Sequence, residues 1–107
     1  MVGRQVEVEA ISDPARVHAI CEEYRAAASL DREHDADDVN AGRRVTCPLL
    51  ALWSEQGGLN SWYEEVGGPL AIWRTLADSV RGEPVAGDHF FPEEHPGDLV
   101  ARLRAFL

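Results

Sequence analysis

Cys47-Pro48-Leu49-Leu50-Ala51-Leu52-Trp53 is a short, unbroken apolar run in the middle of the chain. Half-buried strands alternate apolar and polar residues; a run with no polar face reads as a strand covered on both sides. Such a strand needs helices above and below it, which points to an α/β architecture with a parallel sheet. The downstream sequence agrees. Pro69 opens a helix whose apolar set is Leu70, Ile72, Trp73, Leu76 and Val80, with Arg81-Gly82 as its stop. Pro84-Val85-Ala86 reads as a brief second strand. Pro96 opens a last helix with Leu99, Val100, Leu103, Phe106 and Leu107 facing inward. The pattern predicts helices over 14–29, 69–80 and 96–106. It predicts strands over 49–53 and 83–86, adjacent and parallel, joined by a right-handed crossover. Gly57-Gly58 and Gly67-Gly68 punctuate the connecting loop and lack phosphate-loop spacing.

The first forty residues are simpler. Gln5-Val6-Glu7-Val8-Glu9-Ala10 alternates apolar and acidic residues, as in a half-buried strand or a frayed tail. Ser12-Asp13-Pro14 opens a helix, with a cap residue followed by proline at the first helical position. Val17, Ile20, Cys21, Tyr24 and Ala28 recur at three- and four-residue spacing and give that helix one apolar face. Asp31 to Asn40 is acidic and forms a second short helix that Gly42 ends.

A chain of 107 residues holds one domain and a modest core. Nineteen acidic residues against ten basic give a net charge of −9, which argues against nucleic acid and against anionic membrane surfaces as partners. No apolar run approaches the ~20 residues of a membrane span, and Met1-Val2-Gly3-Arg4 leads into no apolar signal segment. Cys21 and Cys47 lack paired spacing and read as reduced, mostly buried thiols of a cytoplasmic protein. His34 lies among Glu33, Asp35, Asp37 and Asp38, with no cysteine or second histidine close in sequence, so the cluster reads as a solvated face and not a metal site. His18 reads as a surface residue and His95 as a loop residue. The three tryptophans, Trp53, Trp62 and Trp73, read as packing or lining one side of the sheet.

Chemistry concentrates at Gly87-Asp88-His89-Phe90-Phe91-Pro92-Glu93-Glu94, between the second strand and the last helix. With Glu23-Tyr24-Arg25-Ala26-Ala27-Ala28, Asp31, Glu33-His34-Asp35, Ala41-Gly42, the run 47–53 and Pro69-Leu70-Ala71-Ile72-Trp73, this segment forms an ordered set of motifs. From about Ser12 to Leu107 the chain resembles the C-terminal portion of haloacetate dehalogenases, including fluoroacetate dehalogenases, of the α/β-hydrolase fold. In that fold the catalytic histidine comes last in the chain. The resemblance implies a partial fold: 1–11 a tail outside the pattern, 12–42 the end of a helical cap region, and 43–107 the C-terminal part of the core domain.

The family implies hydrolytic removal of halide from small haloacids, without a cofactor. An aspartate carboxylate displaces halide from the α-carbon and forms an ester. A histidine, oriented by a second aspartate, then activates water to cleave it. Residue by residue, His89 matches the general base and Tyr24 matches a halide-binding tyrosine, whose phenol can donate to an anion. The nucleophilic and acid aspartates belong to earlier family segments. Asp31, Asp35, Asp37 and Asp38 fall where the cap returns to the core and do not replace them. Asp88 is a departure from the small residue expected before the histidine; its carboxylate faces either the imidazole or solvent.

An isolated pair of strands leaves an apolar edge and apolar helix faces uncovered. Three readings stay open: a truncated hydrolase fragment inactive by itself, half of a split hydrolase completed by an N-terminal chain, or a small acidic interaction module. The exposed edge leads to an expectation of either self-association or a complementing hydrolase chain.

Overall fold

The structure, a computed structural model, describes residues 8–107, in two compact units that meet in sequence at Arg43 and Arg44. Residues 5–7 of the alternating segment lie outside the described residues; Val8, Glu9 and Ala10 are helical, not extended.

In the first unit, α1 spans Pro14–Ala28. Asp13 caps it: its carboxylate accepts a hydrogen bond from the Ala15 N–H at 2.9 Å, and Pro14 takes the first-turn position where a missing N–H costs nothing. Ser29 breaks the helix, its N–H turning back to the Ala26 carbonyl and its hydroxyl to that of Arg25. α2, Leu30–Asn40, follows at once. It ends through Ala41 into Gly42, whose φ of +69° is left-handed backbone that glycine adopts without a side-chain clash. Neither helix buries a residue fully. Asp38 is taken up by Arg43 at 2.6 Å.

In the second unit, β1 (Leu49–Ser54) and β2 (Val80–Val85) form a two-stranded parallel sheet in which Leu49 pairs with Val80 and Ser54 with Val85. A bridge between Val45 and Ala77 continues the alignment upstream. Between the strands the chain makes single 3₁₀ turns at Gly58–Asn60 and Glu64–Val66, then α3 at Gly68–Arg74. After β2 come a short α4, Phe91–Glu94, and α5, Pro96–Phe106. The core sits under β1: Ala51, Trp53 and Ser54 are buried, together with Ala77 and Val85.

Two boundaries differ from the sequence reading. The helix expected over 69–80 ends at Arg74, and Val80 opens β2 instead of closing the helix. Arg44 explains the stop. Its guanidinium donates to the carbonyls of Arg74, Thr75 and Ala77 and pairs with Asp78 at 2.6 Å. These are carbonyls that a helix end leaves without partners, so a positive fork ends the helix and turns the chain into the strand. Arg81-Gly82, read as a helix stop, lies inside β2. A Cβ on Gly82 would fall 2.0 Å from the Ala51 carbonyl oxygen of the paired strand, so this position needs glycine for backbone approach and not for a turn.

The last helix also differs in its buried face. Leu99, Arg102 and Phe106 are half-buried, whereas Val100 and Leu103 are exposed and Leu107 is 97% exposed. Two strands are too narrow to cover a full apolar stripe. α5 meets β2 through polar and aromatic contacts: Arg102 pairs with Glu83 and with Asp98, and the Arg81 guanidinium lies 5.1 Å above the Phe106 ring. The hydrogen bond to Asp98 is the largest influence holding the Arg102 guanidinium above its ordinary pKa, with the charges of Asp98 and Glu83 adding to it against partial desolvation. Cys21 and Cys47, expected to be mostly buried, are both free and exposed. No helix among the described residues is long and apolar enough to cross a membrane.

Replacing Gly82 by alanine drives a methyl group into a backbone oxygen that cannot yield, so Gly82→Ala should lower unfolding stability by roughly 3 kcal/mol in urea denaturation. An unchanged midpoint would show that the strands are not paired in this register.

Candidate functional site

The parallel register brings the ends of β1 and β2 to the same side of the sheet, and the loops that follow them meet there. The hydroxyl of Ser54, last residue of β1, is buried and donates to the Gly87 carbonyl at 2.7 Å while accepting from the Gln56 N–H at 3.2 Å. One side chain thus ties the loop after β1 to the loop carrying His89. Gly87 itself has φ +116°, and a Cβ there would meet Phe91, His95 and Glu94 within 2.9–3.2 Å. Only glycine fits both the backbone angle and the space.

Past Gly87, the chain is held by its own carboxylates. The Asp88 carboxylate accepts from the His89 N–H at 2.8 Å, and Glu94 accepts from the Asp88 N–H at 3.3 Å. Of the two alternatives open for Asp88, imidazole or solvent, the structure shows a third: the carboxylate serves the backbone. Phe91 N–H closes the turn onto the Asp88 carbonyl at 3.0 Å, starting α4.

The His89 imidazole packs edge-on against the Phe90 ring, centroids 4.9 Å apart. It lines a groove of about 410 Å³ with Leu52, Trp53, Leu59, Trp62 and Phe91. The loop after β1 supplies most of this wall. Trp53 is buried and its indole N–H donates to Asn60 Oδ1 at 3.0 Å, which fixes the first 3₁₀ turn against the strand. Trp62 is 73% exposed and lies over Gly58, where a Cβ would fall 2.1 Å from the indole. Trp73 stands apart from this groove: it is half-exposed and lines a second one along β1. The lining of the His89 groove contains no carboxylate.

Tyr24 belongs to the first unit, in the last turns of α1. It is 75% exposed and lines a shallow hollow with Ile20, Glu23 and Ala27. Asp31, Asp35, Asp37 and Asp38 are exposed along α2, as are His34 there and His18 on α1. Ser54, Asn60 and Arg44 escaped sequence reading. Ser54 carried one signal, a polar residue directly ending an apolar run, but its partner lies 33 residues away.

No family model matches the chain. A fluoroacetate dehalogenase from Burkholderia sp is 35% identical to it over 95 residues, which is 89% of this chain and 29% of that protein. Among solved structures, a Pseudomonas aeruginosa protein provisionally named an epoxide hydrolase, in a mutant form with bound MFA, superposes with a TM-score of 0.79 at 40% identity. The match covers 92% of this chain and 32% of that one. A provisionally named α/β hydrolase from Nostoc sp PCC 7120 gives a TM-score of 0.76 at 41% identity, covering 86% of this chain and 30% of that one. The chain therefore spans about 30% of the length of the relatives it matches. It has part of the α/β-hydrolase fold, two parallel strands with flanking helices, and is similar to the C-terminal portion of a fluoroacetate dehalogenase.

Removing the Ser54 hydroxyl leaves a buried carbonyl short of a partner, so Ser54→Ala should cost about 1–3 kcal/mol of stability. It should also speed amide exchange at Gln56 and in the loop 87–89 more than in the β1–β2 ladder. Equal acceleration everywhere would show that the hydroxyl does not tie the loops.

Proposed function

We propose that the chain is the histidine-bearing segment of an α/β hydrolase that removes halide from haloacetates. One observation carries the reading: His89 follows the last strand and lines an aromatic, apolar groove that contains no carboxylate. Such a groove suits the carbon and halogen of a small haloacid, and it requires that the charged reactants arrive from elsewhere in a complete fold. The similarity to a fluoroacetate dehalogenase at 35% identity supports the choice of substrate class.

The reaction runs in two steps. A carboxylate outside this chain attacks the α-carbon, the carbon–halogen bond breaks, and halide leaves as an ester forms. His89 then takes a proton from water and the hydroxide adds to the ester carbonyl; as the carbon–oxygen bond of the ester breaks, the departing oxygen takes that proton back from His89, hydroxyacetate leaves, and the carboxyl group loses its own proton to solvent. Histidine suits this step because its ordinary pKa, near ~6.5, leaves a neutral imidazole available at neutral pH. An acid carboxylate, also outside this chain, orients the imidazole and stabilises it once protonated. The Tyr24 hydroxyl donates to the departing halide, where negative charge develops.

Among the described residues no carboxylate lines the groove beside His89, so on this reading the chain by itself forms no ester for His89 to resolve. Incubated with fluoroacetate, it should release no more fluoride than a His89→Ala control, measured with a fluoride electrode.

A single-chain chimera tests the assignment directly. The matching segment of the Burkholderia sp dehalogenase is replaced by residues 12–107 of this chain, covalently joined. The chimera should hydrolyse fluoroacetate. His89→Ala should cut the rate by about 10²–10⁴-fold, and Tyr24→Phe, which keeps the ring, by about 10–100-fold. A folded chimera whose rate ignores His89 would overturn the proposal.

A further inference from the structure

We propose that Trp62, lying on Gly58, is the size-selecting wall of the groove beside His89, and that it restricts the groove to haloacids with no substituent on the α-carbon. The inference rests on the hydrolase reading above and names the residue that sets which haloacids fit.

The sides of the groove are held in different ways. The side built on β1 is fixed: Trp53 is buried, and its indole N–H donates to Asn60 Oδ1 at 3.0 Å. The side built on the histidine loop is fixed as well. The buried Ser54 hydroxyl donates to the Gly87 carbonyl at 2.7 Å, and the Phe91 N–H closes onto the Asp88 carbonyl at 3.0 Å. A third side is the Trp62 indole. It is 73% exposed, so its place is set chiefly by the surface it lies on.

That surface is Gly58. The Trp62 N–H donates to the Gly58 carbonyl at 2.8 Å, which brings residue 62 back over the glycine. A Cβ at position 58 would overlap Cε2 and Cζ2 of the indole. Gly58 is not among the glycines with positive φ, so the turn itself does not demand glycine there. The space taken by the indole does. Gly57 has a related reason, since a Cβ there would lie 3.0 Å from the Ser54 Cβ. The Gly57-Gly58 pair, which reads in the sequence as loop punctuation, therefore clears room for two side chains. One is Ser54, which locates the histidine loop, and the other is Trp62, which narrows the groove in front of it.

An apolar groove discriminates by fit, and one methylene too many or too few changes reactivity by roughly 10–200-fold. With Trp53 pinned and the histidine loop tied, the room for an α-substituent depends on how closely the indole lies to Gly58. The α-carbon of a haloacetate carries only hydrogens and passes the indole. An ethyl group in the same place meets the ring.

The test uses the covalent chimera described above, with chloroacetate and racemic 2-chlorobutyrate as substrates and chloride release as the measurement. The same halide leaves from both acids, so a change in the ratio of their kcat/KM values reports room at the α-carbon. Trp62→Ala should shift that ratio about 10-fold toward 2-chlorobutyrate. Gly58→Ala pushes the exposed ring off its place and should change the ratio about 3-fold or more while Trp62 is present. In the Trp62→Ala background the same Gly58→Ala change should move it less than about 2-fold, because the methyl group then has nothing to displace. A purely structural need for glycine at position 58 would act alike in both backgrounds. The proposal is overturned if the ratio ignores Trp62, or if Gly58→Ala has equal effects with and without the indole. Should the unaltered chimera release chloride from neither acid, the dehalogenase reading falls, and size selection is read by binding to the full 107-residue chain. The probe is then the 5-fluorotryptophan resonance of Trp53, which lines the same groove, titrated with each acid. The same 10-fold shift of preference on Trp62→Ala supports the wall; an unchanged preference, or no binding of either acid, overturns it.

Discussion

The parallel register of β1 on β2 is the constraint on which the second unit depends. It requires the backbones to approach at Ala51 and Gly82 more closely than any side chain at position 82 allows. Once set, it places Ser54 opposite Val85, within reach of the Gly87 carbonyl. That single hydroxyl brings the loop after β1 to the loop after β2, and the groove beside His89 forms between them. A shift of one residue would reverse the faces of a strand. It would turn Trp53 away from Asn60 and separate Ser54 from its partner. The same register decides that Leu50 and Leu52 present their backbone groups outward.

Charge does much of the work usually left to apolar packing, because two strands offer little to pack against. Arg44 ends α3 by gathering three carbonyls and Asp78. Arg102 links α5 to β2 through Glu83, and Arg81 covers the face of Phe106. A guanidinium suits these places because it offers five donors in a planar fork and an apolar stem. The carboxylates of Asp88 and Glu94 likewise serve backbone N–H groups of the histidine loop instead of the imidazole. His89 is therefore presented by a loop braced from within, and no carboxylate lines the groove beside it.

Much of the fold was legible because its signals are local. Asp13 and Pro14 mark the start of α1 by cap chemistry, Gly42 marks the end of α2, and the run at 49–53 carries the period of a buried strand. Pro96 sets the start of α5. The errors arose where a local sign has two meanings. Arg81-Gly82 looks like a helix end, and Val80 continues a helical spacing, yet both belong to β2. What settles them is Arg44, more than thirty residues upstream, and Ala51 across the sheet. The inward face assigned to Val100, Leu103 and Leu107 failed for a related reason: spacing shows which residues share a face, and only the width of the sheet shows how many of them can be covered.

For the site, the sequence alone supplied the candidates: a histidine in a loop after the second strand, a tyrosine on α1, and an order of motifs similar to a dehalogenase. It also determined the parallel α/β class, since an unbroken apolar strand has few other places to go. Tertiary structure decided the rest. It turned Asp88 to the backbone, recruited Ser54 and Asn60 to hold the loops, and left Cys21 and Cys47 exposed. Among the described residues it also made the two strand edges unlike, with Pro84 on the outer side of β2 and the backbones of Leu50 and Leu52 on the outer side of β1. These outcomes depend on contacts between residues far apart in the chain, and hydrogen-bond parity exists only once two strands are paired.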